Sequence, residues 1–303
     1  MLSLLLSGSA TGTDFYVSPT GTTSTAPGTG TFTNPWALQT ALAQPAAVHA
    51  GDTIWLRGGT YVGRFSSYMQ GAAGQPIVVR SLTGEWARID GGPGPLVATL
   101  MLWGHDVWFM NFEIFSSSTT RRSSQDGSGP SDLNRGAGVF TAQDSGHPGL
   151  KLINLVIHDA TEGMSLWEGA TDMEIHGNII YNCGWDGATD RGHGHGIYVQ
   201  NLTGTKTIEN NIIFNQYGTG LNVYGSDTAH MDNIDLIGNT VFENGKPSIY
   251  GYERNLLYGG ATGSPQVQNG RLLNNSFFYE VGGPGTGHYV GYFGGANNFT
   301  VQG

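Results

Sequence analysis

From Phe109 onward the chain repeats one short phrase. A corner residue leads into a β-branched or aromatic strand at Asn111-Phe-Glu-Ile, Asn154-Leu-Val-Ile, Asn178-Ile-Ile-Tyr, Asn211-Ile-Ile-Phe, Asn239-Thr-Val-Phe and Asn275-Ser-Phe-Phe. A second strand type follows each: Gly138-Val-Phe-Thr, Gly163-Met-Ser-Leu, Gly196-Ile-Tyr-Val and Gly220-Leu-Asn-Val, then less regularly Asn255-Leu-Leu-Tyr and Tyr289-Val-Gly-Tyr. The intervals 138 to 163 and 196 to 220 give a bare period of 25 and 24 residues, and 163 to 196 gives 33, a repeat carrying an insertion. Strands this short bury a face only by stacking on their neighbours. Corner-linked strands at this period therefore predict a parallel β-helix, each coil lying on the last. An antiparallel sandwich is the alternative, but the two-residue Asn-Gly hairpin turns it would use are missing from the pattern.

Composition agrees with a chain that turns often. Gly supplies 49 of 303 residues and charged side chains only 12%, about half the usual charged share. Net charge is −10, with Lys151, Lys206 and Lys246 the only lysines. Nucleic acid is excluded as a partner, because phosphate binding runs on Lys and Arg. No segment reaches the length of a membrane span. The single Cys183 permits no intrachain disulfide and reads as a small buried apolar residue. Met1 to Ala10 is a short apolar run ending in small residues, either a signal-peptide remnant or a frayed start. One domain is expected over 14–303, after a start of 1–13. Asn34-Pro35-Trp36-Ala-Leu-Gln-Thr-Ala-Leu42 predicts a capping helix over 35–44, with Asn as cap and Pro in the first turn. Asn298-Phe-Thr-Val301 opens another strand shortly before Gly303, so further coils are expected beyond it.

Three segments carry a resemblance: Asp14-Phe-Tyr-Val-Ser-Pro-Thr-Gly21, Pro35-Trp-Ala-Leu-Gln-Thr-Ala-Leu42 and Gly51-Asp-Thr-Ile-Trp-Leu-Arg-Gly-Gly-Thr-Tyr61. From Asp14 to its end the chain resembles exported proteins of the pectate-lyase-like right-handed parallel β-helix superfamily. The resemblance implies an all-β solenoid, secreted or held at the cell surface. Its members include polysaccharide lyases, glycoside hydrolases, epimerases and phage tailspikes, so fold alone leaves the activity open. Of the polygalacturonase-like signature only Gly192-His193-Gly194 and Gly194-His195-Gly196 match. Of the calcium-dependent pectate-lyase pattern, Asp186, Asp190 and Arg191 are the counterparts.

Insertions at 119–135, 183–193, 245–254 and 280–287 all fall between an Asn-led and the next Gly-led strand. Insertions on one edge of a solenoid build its binding surface. With Val139, Met164, Ile197 and Leu221 turned inward, alternation turns Phe140, Ser165, Tyr198 and Asn222 outward, followed two residues on by Ala142, Trp167, Gln200 and Tyr224. Ala137, Glu162, His195 and Thr219 form the column at the strand entrances. Trp167, Tyr198 and Tyr224 are candidates for a sugar platform, with His193, Glu168, Gln200 and Asn222 as further substrate contacts.

The densest polar stretch is Gly184-Trp185-Asp186-Gly-Ala-Thr-Asp190-Arg191-Gly-His193-Gly-His195-Gly196-Ile-Tyr198. β-Elimination needs a base, an acid and a neutraliser for the sugar carboxylate, for which His195, Tyr198 and Arg191 are the candidates. Hydrolysis needs two carboxyls, to be drawn from Asp186, Asp190, Glu162 and Glu168. The resemblance implies that Asp186 and Asp190 would offer oxygens to calcium, and His193, His195 and Asp190 offer a transition-metal set. The expectation is a monomeric polysaccharide- or oligosaccharide-degrading enzyme, lyase ahead of hydrolase. The alternative is a non-catalytic carbohydrate-binding, adhesin or surface-fibre segment.

Overall fold

The computed structural model describes residues 12–95, 97–225, 229–251, 254–261, 266–280 and 295–303, and the backbone of 288–292. The Met1 to Ala10 run and most of the 280–287 insertion lie outside the described residues. Each full coil contributes one strand to each of three parallel sheets of ten, eight and eight strands. The eight-stranded sheets are the two strand types read from the sequence. One runs from Gly59–Val62 to Ser276–Phe278, the other from Phe65–Ser67 to His288–Tyr292. The ten-stranded sheet, Asp14–Thr22 to Thr300–Gln302, is the third side of every coil. The repeat concealed it because its middle members, such as Lys151–Ile153 and Glu174–His176, are three residues long and run directly into the corner.

Alternation is obeyed. Val139, Met164, Ile197 and Leu221 stack in register and are fully buried. One core joins them to Leu152, Ile175 and Ile208 of the ten-stranded sheet and Ile157, Ile180 and Ile213 of the other.

Corner chemistry divides what the sequence reading had merged. Asn111 and Asn154 are true corners, in the left-handed region at φ 59° and 52°. In later coils the corner moves one place earlier, to Gly177, Asn210, Gly238 and Asn274, where glycine or asparagine tolerates positive φ. Asn178, Asn211, Asn239 and Asn275 follow the corner and turn inward as a ladder. Asn178 donates through Nδ2 to Asn211 Oδ1 (2.8 Å), Asn211 to Asn239 (2.9 Å) and Asn239 to Asn275 (2.9 Å). Each also donates to a strand carbonyl of an earlier coil, Ile175 in the case of Asn211.

The N-terminal helix spans only Leu38–Leu42, shorter than the expected 35–44, and no side chain caps it. Residues 35–37 are taken first by the opening strand. Thr22 N–H donates to Pro35 O, Ala37 N–H donates to Thr22 O, and the Trp36 ring stacks on Phe15 at 4.9 Å. The helix buries Leu38, Ala41 and Leu42 against the first strands of two sheets.

Candidate functional site

The wall over the Phe65–Ser67 to His288–Tyr292 sheet is made of insertions from successive coils, tied together by three aspartates. A short antiparallel hairpin, Trp185–Asp186 with Gly192–His193, forms its middle. Asp186 is buried, and its carboxylate accepts Ser248 Oγ–H (2.6 Å) and the Ile249 amide (3.3 Å) from the insertion after it. Its backbone pairs with Arg121 and Ser123 of the insertion before it. Asp190 Oδ2 accepts the Gly127 amide at 3.0 Å and lies 2.9 Å from His193 Nε2. Burial opposes its charge, but the Gly127 amide, His193 and the Arg191 amide outweigh it and hold the carboxyl well below its usual range. Asp126 receives Thr189 through both amide and hydroxyl at 2.7 Å. The polar residues of 119–135 are therefore largely engaged within the protein.

This knot makes a prediction. Asp190→Ala removes two hydrogen bonds to a charged acceptor, each worth about 1.5–3 kcal/mol. Limited proteolysis within 119–135 is expected to accelerate by about 10-fold or more while the far-UV signal is kept. An unchanged cleavage rate would mean that the wall is held elsewhere.

Beneath the wall lies a cleft of about 550 Å3. The floor column Ser165, Tyr198, Asn222, Leu257 is in register, and its first three members are the ones alternation turned outward. Trp167 and Tyr224 line the same cleft. Trp167 lies 5.4 Å from Tyr198 with the planes at 50°, so these two rings are tilted to each other and do not form one flat face. Gln200 crosses it, donating to the Tyr198 hydroxyl (3.0 Å) and to Tyr224 O (3.1 Å). Burial, with Glu162 and Tyr224 adding to it against the Gln200 bond, pushes the Tyr198 phenol up to about 12.

The entrance column holds the titratable groups. Glu162 Oε2 accepts the His195 backbone amide at 2.9 Å. Burial pushes the Glu162 carboxyl up to about 8, against the opposing pull of that amide and of Arg191. His195 Nδ1 accepts the Thr219 backbone amide at 3.1 Å, so the neutral ring carries its proton on Nε2. Burial together with Arg191, Arg254 and His193 drives the His195 pKa down to about 3. Arg191 lines the cleft and reaches Ser128 Oγ at 3.3 Å. His193 turns away from His195: its ring stacks on Trp185 at 5.2 Å and its Nε2 meets Asp190. Several lining residues carry a buried polar atom with no partner among the described residues, namely Trp167 Nε1, Trp185 Nε1, His193 Nδ1 and Asn222 Oδ1.

Sequence reasoning missed Trp185, Ser128 and Arg254. Arg254 pairs in register with Thr219, so carrying the entrance column one coil further would have found it.

A family model described as a right handed beta helix region matches residues 131–241. The chain has a right-handed parallel β-helix fold. Among solved structures the β-helix is similar to pectate lyase Pel9A (TM-score 0.58, 17% identity, covering 88% of this chain and 62% of that one). It is also similar to a rhamnogalacturonan lyase (0.66, 16%, 89% and 69%) and to a GH136 lacto-N-biosidase from Eubacterium ramulus (0.54, 13%, 96% and 68%). It thus spans less than two thirds of the pectate lyase's length. No curated protein sequence matches it.

Calcium, which a likeness to pectate lyases raises, takes six to eight oxygen ligands. The donors expected to hold it do not fit: Asp186 and Asp190 are committed to wall bonds, and among the described residues no three His, Cys, Asp or Glu side chains group to hold a metal. The His193–His195–Asp190 metal set fails for the same reason, since only Asp190 and His193 meet. Of the four carboxyls considered for hydrolysis, Glu162 alone lines the cleft. Asp186 and Asp190 serve the wall, and Glu168, which keeps one buried unpaired oxygen, is not among the lining residues. Among the described residues no helix is long and apolar enough to cross a membrane.

Proposed function

We propose that this β-helix is an exported polysaccharide lyase that cleaves a uronate-containing chain in the cleft. The observation that carries the reading is the cleft's charge: among the described residues Arg191 and Arg254 line it with one carboxyl, Glu162, which burial pushes up to about 8. Two cations suit a sugar carboxylate, whereas hydrolysis wants two carboxyls across the bond. Export is supported by the apolar run at Met1 to Ala10 and by the company of polysaccharide enzymes that share the fold.

In this reading Arg191, Arg254 and the Nε2–H of His195 neutralise the sugar carboxylate, which acidifies the neighbouring C–H. The Glu162 carboxylate takes that proton. The C4–oxygen bond breaks, its electron pair leaving on oxygen, which receives the Tyr198 proton as the C4–C5 double bond forms. The role of base thus passes from His195, whose Nδ1 is engaged by Thr219, to Glu162. His195 becomes a donor, as its low pKa requires. Trp167, Tyr224 and Asn222 hold the flanking sugars, with Gln200 fixing the Tyr198 hydroxyl beside them.

The test is a panel of uronate and neutral polysaccharides, read for both unsaturated-uronide absorbance and new reducing ends. Both signals together are expected on a uronate polymer. Reducing ends without absorbance would replace the lyase by a hydrolase, and binding with neither would make the protein a carbohydrate-binding segment. On the cleaved polymer, His195→Ala is expected to lower kcat/KM by about 10²-fold, the scale of a lost charge-stabilising donor. The rise in rate near pH 8 should stay in place. Loss of that rise would return the base role to His195.

A further inference from the structure

Lys206 is fully buried, which a lysine almost never is without a reason. It belongs to the ten-stranded sheet, in the strand Lys206–Glu209, so its side chain crosses the coil interior toward the opposite sheet. There its ammonium meets three backbone carbonyls, Leu166 O at 3.4 Å, Trp167 O in a shorter contact, and Gln200 O at 2.7 Å. These mark where two successive floor strands, Met164–Leu166 and Ile197–Val199, leave the cleft. One exit carries the Trp167 ring. The other carries Gln200, whose amide holds the Tyr198 hydroxyl and the Tyr224 carbonyl.

We propose that Lys206 is a positioning residue for the cleft, a post under the floor whose three hydrogen bonds fix Trp167 and Gln200, and through Gln200 the Tyr198 hydroxyl. This rests on the lyase reading only where catalysis is concerned. Simple core filling would be met by Leu or Met at lower desolvation cost. Burial drives the Lys206 pKa down to about 7, with Glu168 pulling the other way. Even the neutral amine keeps two donors, so the post persists in part at alkaline pH. Linkage has a definite sign: the depressed pKa means that stability is lost as pH falls through about 7.

The experiment compares the full chain with Lys206→Met, which keeps length and apolar character but no donor, and Lys206→Gln, which keeps an amide donor should the Met variant fold poorly. Acrylamide quenching of Trp167, isolated as the difference from the same background carrying Trp167→Phe, reads the ring without any sugar. Steady-state kinetics on the uronate polymer cleaved by the parent reads the consequence. Quenching of Trp167 is expected to rise at least 2-fold in Lys206→Met, with KM raised about 10-fold, kcat lowered as the Tyr198 hydroxyl loses its hold, and partial recovery in Lys206→Gln. Unchanged quenching in folded Lys206→Met would overturn the proposal, as would KM and kcat both unchanged. A parent that cleaves nothing in the panel would sink the lyase reading, while the quenching would still decide the role of Lys206.

Discussion

Glu162→Gln is expected to leave the fold intact and to cut turnover on the cleaved uronate polymer by about 10²-fold to 10⁴-fold, the range of a lost general base. The substitution is nearly isosteric, and Gln can still accept the His195 amide through its side-chain oxygen. The pH profile carries the sharper information. A base works as its conjugate anion, so kcat/KM of the parent should climb as pH rises through about 8, where burial has placed the Glu162 carboxyl. The residual rate of the variant should lack that climb. Stability moves the opposite way, because a carboxyl raised on folding favours the protonated native state and weakens it as pH passes upward through the same value. A parent whose rate peaks below pH 6 would refute the assignment.

The second large effect is on stability. Asn211→Ala removes a fully buried side chain that accepts from the Asn178 amide (2.9 Å) and the Asn178 side chain (2.8 Å), and donates to Asn239 and to Ile175 O at 2.9 Å each. Desolvated groups left without partners cost about 1–3 kcal/mol each, so a loss of about 3–5 kcal/mol is expected by guanidinium unfolding. The adjacent Asn210→Gly should change stability by less than about 1 kcal/mol, since Asn210 is exposed and sits at φ 56°, a conformation that suits glycine. Equal effects at the two positions would show that the ladder adds nothing beyond the corner.

That pair of asparagines also shows how far the sequence could be read. Period and strand alternation were legible, since burial imposes both directly, and they placed the floor residues Ser165, Tyr198 and Asn222 correctly. The job of each asparagine was not legible, because a corner and a ladder can both be built from the same residue type and only φ separates them. The roles of Asp186 and Asp190 were hidden for a related reason. Their partners Ser248 and Gly127 lie 62 and 63 residues away, on other coils. The proton position on His195 is set by Thr219, 24 residues on. Lys206 looked like one cation among few, and nothing local shows that its strand faces the floor from behind.

The ladder has a counterpart at the far end of the same strands. Gln216 Oε1 accepts the Cys183 amide at 2.8 Å, and Asn244 Oδ1 accepts the Gln216 amide at 3.2 Å. From Asn178 to Cys183, Asn211 to Gln216 and Asn239 to Asn244 the interval is five residues each time. The stretch between the rungs is metered: adding or deleting one residue there would unseat both. Beyond the second rung nothing fixes the length, and there the chain has lengthened coil by coil into hairpins and loops. Any change in length is thereby channelled onto the rim of the cleft, while the scaffold beneath keeps its register.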